Sequence, residues 1–157
     1  LLASAQEENG DMLDAEETAR KALQVDPNEP EVHLFLGKIS AESGQLDQAI
    51  QHLSQGIASR AANTDGYLLL SKVYEQQREF TKAIDTLKQA IDVEPEDTRS
   101  YIAAANLYKN SKNYSAAEEI LQKAVEIDPE DVTLRRQLGA LLALKLVHHS
   151  QEASAKS

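Results

Sequence analysis

No cysteine occurs in the 157 residues, which excludes a disulfide framework, thiol chemistry and cysteine-based zinc sites. Tryptophan is also missing, proline occurs four times and aromatics make up 4%. The chain is rich instead in Ala, Leu, Gln, Glu and Lys, a mixture suited to helices rather than sheets. Positive charge is in deficit. Lys and Arg number 16 against 26 Asp and Glu, a net charge of −10 that repels a phosphate backbone, so no nucleic-acid partner is expected. Residues 1–63 hold 4 basic and 11 acidic side chains, a mild asymmetry that reads as a solvated acidic surface. No apolar run approaches the roughly 18 residues that a membrane span needs, and no basic-then-apolar leader opens the chain. A soluble, cytoplasmic protein without direct membrane insertion is expected. The first residue is Leu1 rather than Met, which reads as a segment whose native flanks, and any targeting signal in them, lie elsewhere.

What the chain does have is a period. Pro95 and Pro129 stand 34 residues apart, and Pro27 lies two such steps before Pro95. The phrase "LQKAVEIDPED" (121–131) recurs as "LKQAIDVEPED" (87–97) and, more loosely, as "ARKALQVDPNE" (19–29). Ala15, Ala49, Ala83 and Ala117 fall on the same grid, as do Ala22, Gly56, Ala90 and Ala124, and a further column holds Leu36, Leu70 and Leu138. Small residues in fixed columns let helix backbones approach closely, Leu fills the gap between them, and Pro is accepted where one helix has ended and the next begins. Each repeat is therefore a helical pair. The expected helices are 1–9, 12–25, 30–43, 46–59, 64–77, 80–93, 98–111, 114–127 and 132–149, with short turns at "SGQL", "QREF" and "SKNY".

These columns resemble the tetratricopeptide repeat family. The segment 98–131 carries an aromatic at its fourth position (Tyr101), Ala105 at the eighth and Tyr108 at the eleventh, then Ala117, Leu121, Ala124 and Pro129. Segment 64–97 agrees through Tyr67, Leu70, Ser71, Tyr74, Ala83, Leu87, Ala90 and Pro95. Segment 30–63 departs from the pattern, with His33 for the aromatic, Ser40 for the Tyr, Gly56 for the Ala and Ala61 for the Pro, and is expected to form the loosest seam. The resemblance implies an all-α, right-handed α-solenoid (superhelix) of helix-turn-helix repeats in a single domain over 1–149. A partial repeat occupies 1–29, full repeats 30–63, 64–97 and 98–131, and a C-terminal capping helix 132–149. The tail 150–157, "SQEASAKS", is expected to be disordered.

By the same resemblance, the first helices line a concave groove that takes a partner peptide. The groove positions are Glu31, Leu34, Phe35 and Lys38, then Asp65, Leu68, Leu69 and Lys72, then Arg99, Ile102, Asn106 and Lys109. Some family members clamp a C-terminal carboxylate with Lys, Asn and Arg, and others read a peptide backbone with an Asn ladder. Here the fifth and sixth places are Leu34, Phe35, Leu68, Leu69, Ile102 and Ala103, which donate no side-chain hydrogen bonds. An apolar strip beside Lys38, Lys72, Asn106 and Lys109 remains, suited to an apolar or amphipathic segment with a few carboxylates. The plainer alternatives are that Lys38 and Lys72 pair with Glu42 and Gln76 four residues on, and that Leu68 and Leu69 are covered by their own chain.

Catalysis finds little footing. His33 and His52 sit at packing columns, and the chain shows no Gly-rich phosphate loop, HExxH or Ser/His/Asp constellation. The pairs Glu7-Glu8, Glu16-Glu17 and Glu118-Glu119 are adjacent on helices and diverge by about 100°, which reads as solvated faces. "HHSQ" (148–151) makes a weak metal site at most. No cofactor, metal or catalytic residue is expected, and the function class is a non-enzymatic protein-protein interaction scaffold. The rivals are a self-assembly module and the repeat arm of a larger assembly factor or enzyme. Residues 138–147, "LGALLALKLV", are apolar nearly all round, so Leu144, Leu146 and Val147 are expected to meet a second copy of the chain, as a homodimer, or a downstream segment.

Overall fold

A computed structural model describes residues 2–58 and 64–155, and all regular structure among them is helical. The chain divides into two compact units, 1–79 and 80–157.

The first unit holds α1 (Leu2–Val25), α2 (Pro30–Glu42), α3 (Leu46–Ile57) and α4 (Thr64–Gln76). Its core is Ala49, Leu53, Leu70 and Val73, with Leu34, Ala41, Ile50, Ile57 and Leu69 packed around them. The second unit holds α5 (Phe80–Val93), α6 (Thr98–Asn110), α7 (Tyr114–Ile127) and α8 (Val132–Ala155). Two clusters fill it: Ala105, Ala117, Leu121 and Leu141, and Tyr101, Ala124 and Leu134. The small-residue columns are where the backbone is most enclosed, since Ala49, Ala83, Ala117, Ala90 and Ala124 are all completely buried.

The recurring phrase at the helix ends has a local explanation. Asp131 Oδ1 accepts the backbone N–H of Thr133 at 2.7 Å and of Leu134 at 3.3 Å, capping α8. Asp97 does the same for α6, accepting from Arg99 N at 3.0 Å. Each caps free N–H groups that the first helical turn leaves without partners. In the loop before α6, Pro95 accepts from Tyr101 Oη at 3.0 Å through its carbonyl, so the loop is fastened to the helix that follows it. The turns within helical pairs repeat as well. Gly44, Arg78 and Lys112 occupy one column of the grid and all have positive φ, at 73°, 61° and 62°. In each case the next N–H reaches back five residues to a carbonyl, as in Gln45 to Ser40 at 2.8 Å and Asn113 to Tyr108 at 2.8 Å. The left-handed step that closes a helix is free for glycine and strained for Arg78 and Lys112.

Three expectations are corrected. The N-terminal segment is one helix, not two, because "NGD" (9–11) contains no proline and a single interior glycine costs only about 1 kcal/mol among good helix formers. The C-terminal helix runs through Ala155 rather than ending at 149. No Gly or Pro interrupts the tail, and Ser150 and Ser154 hydroxyls donate to the carbonyls of Val147 and Ser150, both at 2.9 Å. Glu118 is not on a solvated face: it accepts from Lys145 Nζ at 2.7 Å, tying α7 to α8. The join at 59–63, expected to be a loose seam, lies outside the described residues. Within that repeat the two helices come unusually close, because glycines stand at both crossing points, Gly37 against Leu53 and Gly56 against Leu34.

Candidate functional site

In the first unit, α2 and α4 lie side by side and leave a cleft between them. One end, of about 240 Å³, is lined by Leu34, Phe35, Lys38, Leu53, Asp65, Gly66 and Leu69. The other, of about 320 Å³, is lined by Lys38, Ala41, Glu42, Leu69, Lys72, Val73 and Gln76. The lining follows helical spacing on both walls, 34, 38, 41 and 42 on α2 and 65, 69, 72, 73 and 76 on α4, so the repeat's own geometry makes the cleft. Leu53 and Val73 form a buried floor. Phe35 is 40% exposed, so part of its ring is open to a ligand in the cleft.

Lys38 and Lys72 are exposed, and neither has an ion-pair partner among the described residues. The intrahelical pairing with Glu42 and Gln76 is thus not formed, and two ammonium groups stand over an apolar floor. Leu34 is less available than its neighbours. It is half-buried, wedged against the places where Gly56 and Gly66 lack a Cβ, and it serves as cleft wall and core at once. Glu31 is exposed and Leu68 half-buried, and neither lines the cleft.

The second unit has a cleft of its own, about 480 Å³, lined by Ala105, Asn106, Lys109, Leu121, Gln137, Ala140, Leu141 and Leu144. Asn106 and Lys109 meet there, Lys109 Nζ donating to Asn106 Oδ1 at 3.0 Å. Arg99 is drawn away to Asp97, with Nε 3.0 Å from Oδ1 and Nη2 2.6 Å from Oδ2. Ile102 is half-buried against Tyr101, Ala124 and Leu134. Sequence reasoning missed the α8 wall of this cleft. Counting one repeat further would have found it, since Gln137, Ala140 and Leu144 sit 34 residues after Ala103, Asn106 and Asn110. Leu144, expected to face a second copy, lines the cleft with 41% exposure, whereas Leu146 and Val147 stand out from α8 at 71% and 52%.

His148 packs edge-on against Tyr114 with ring centroids 5.0 Å apart, so the "HHSQ" segment has a packing role. Among the described residues no group of three His, Cys, Asp or Glu side chains is placed to hold a metal, and no helix is long and apolar enough to cross a membrane.

Paired helices on a 34-residue grid point to one relationship, and the tetratricopeptide repeat family model matches residues 7–73 and 74–142. The chain belongs to the tetratricopeptide repeat family. No curated protein matches it. Among solved structures, its fold is similar to that of MamA, at 23% identity over 98% of this chain and 96% of that one, TM-score 0.72. A tetratricopeptide repeat protein from Parabacteroides merdae ATCC 43184 superimposes with a TM-score of 0.76 at 22% identity, over 91% of this chain and 57% of that one. YrrB, described as a repeat protein with an unusual peptide-binding site, has a TM-score of 0.67 at 17% identity, over 91% and 74%. At these identities the likeness speaks for the fold alone.

Proposed function

We propose that this chain is a non-enzymatic interaction scaffold whose first-unit cleft takes an apolar partner segment carrying carboxylates. The observation that carries this reading is the pair of lysines, Lys38 and Lys72, without ion-pair partners among the described residues, in a cleft whose partly open lining includes Phe35 and Leu69. Burial supplies affinity and the ammonium groups set register, a division of labour common at protein interfaces. A peptide is a ligand this fold accommodates, since YrrB, similar in fold, is described as having a peptide-binding site.

The two kinds of contact predict different kinetics. Against peptides selected from a display library, Leu69→Ala is expected to speed dissociation, weakening binding by about 1 to 3 kcal/mol for the lost apolar contact. Lys72→Glu is expected chiefly to slow association, with an effect that shrinks as salt shortens the Debye length. Surface kinetics with circular dichroism as a folding control checks both. Unchanged binding by two folded variants moves the site away from this cleft.

A second reading rests on a different observation, the exposure of Leu146 and Val147 on α8. Exposed apolar residues on a helix of a repeat array mark a surface that another chain can cover. Light scattering at high micromolar concentration is expected to report a dimer that Leu146→Glu, Val147→Glu dissolves. A monomer at that concentration rules this reading out.

A further inference from the structure

His33 occupies the place in its repeat that Tyr101 holds two repeats later. Tyr101 Oη donates to the carbonyl of Pro95, and His33 Nε2 stands 2.9 Å from the carbonyl of Pro27, the equivalent proline. A carbonyl only accepts, so His33 Nε2 carries a proton and, in the neutral ring, its Nδ1 is an acceptor. That Nδ1 lies 3.0 Å from Nδ1 of His52. His52 therefore supplies the N–H of this second bond. A loop carbonyl, a ring on α2 and a ring on α3 form a relay with one consistent placement of protons. His33 is buried, and the two rings tilt at 36° with centroids 5.3 Å apart.

Arg20 and Glu16, both on α1 and ion-paired to each other at 2.6 Å, are charged groups that act on His52. Burial, then His33, then Arg20 hold the His52 pKa below the usual histidine value, and Glu16 opposes them. Among the described residues no third ligand joins the rings in a metal-holding group.

We propose that the His33–His52 contact is a clasp that fastens α2 to α3 and makes the fold sensitive to acid. A proton on the outer Nε2 of His52 leaves the contact formed but sets a charge beside Arg20 in a half-buried place. That charge penalises the folded state on acidification. The sign follows from linkage: a histidine whose folded pKa is depressed contributes its full stability above the unfolded value, about 6.5, and loses it as pH falls below that. Because His33 directly precedes Leu34 and Phe35, the clasp governs how firmly the α2 wall of the cleft is held, whatever that cleft binds.

The repeat supplies its own control. His33→Tyr with His52→Thr installs the residues found at the same places as Tyr101 and Thr86. Between pH 7.5 and 5.5, the melting temperature of the full chain is expected to fall by about 5 °C more in the parent than in the double variant. His148 and His149 are common to both and cancel. Equal pH dependence in the two overturns the clasp. Should the double variant fail to fold, nitrogen-15 spectra of the parent's imidazoles decide instead. At pH 7.5, His33 is expected to be protonated on Nε2 alone and His52 on Nδ1; the opposite tautomer at His33 removes the relay.

Discussion

Ala117→Glu is expected to lower the melting temperature of the chain by on the order of 10 °C, through a loss of about 3 to 5 kcal/mol. Ala117 is completely buried and packs with Ala105, Leu121 and Leu141, under Tyr108 and Tyr114. A glutamate there has two poor choices. It stays charged in a place with no cation, or it takes up a proton and still overfills a site sized for one methyl group. Either choice pushes α7 from α6 or from α8, the helices that share this cluster. The next two residues along α7 calibrate the effect. Glu119 is exposed and pairs only with Lys123 at 3.2 Å, so Glu119→Gln should change the melt by less than about 0.5 kcal/mol. Glu118→Gln should fall between, because its partner Lys145 keeps a charge in a partly covered place. A thermal melt of Ala117→Glu that coincides with the parent removes the helix-contact assignment of the whole Ala49, Ala83, Ala117 column.

The contrast between Glu118 and Glu119 shows where the sequence could be read and where it could not. Periodicity identified the helical pairs, because a column of small residues has one physical use, close approach, and it recurs on every repeat. The groove was implied by the family resemblance instead, and of its positions Leu34, Phe35, Lys38, Asp65, Leu69 and Lys72 line the clefts between α2 and α4. Periodicity could not foresee the Glu118–Lys145 bond, which joins residues of a full repeat and of the final helix, where the pattern has no further copy to compare. Nor could it place Arg99 and Ile102 in a cleft. Arg99 lies two residues from Asp97, and that local attraction outweighs its position on the helix face. His33 is the instructive middle case. As a departure from an aromatic column it looked like a defect, yet its ring nitrogen reaches the same loop carbonyl that a tyrosine hydroxyl reaches elsewhere.

Gly56→Ala should destabilise the protein although it restores the family's own residue and improves helix propensity. The corresponding places are Ala22, Ala90 and Ala124, so a consensus argument expects a gain of about 1 kcal/mol. The local geometry reverses the sign. A Cβ on Gly56 stands 2.6 Å from Leu34 Cδ2, 2.7 Å from its Cγ and 3.1 Å from its backbone nitrogen. Leu34 already lies against Gly66 on its other side, which limits how far it can yield. The hairpin must therefore widen, and widening also strains the reciprocal contact of Leu53 with Gly37. Overpacking of this kind costs about 1 to 3 kcal/mol, more than the propensity gained. Gly139→Ala is the matched comparison, an interior α8 glycine with nothing within 4 Å of its Cβ position, where the same substitution should stabilise by about 1 kcal/mol. Urea melts of the two variants should move in opposite directions. Shifts of the same sign would mean that α2 and α3 are not held as closely as these contacts require. Since Leu34 is also a wall of the cleft, Gly56→Ala should weaken a cleft ligand as well, and Gly139→Ala should leave it unchanged.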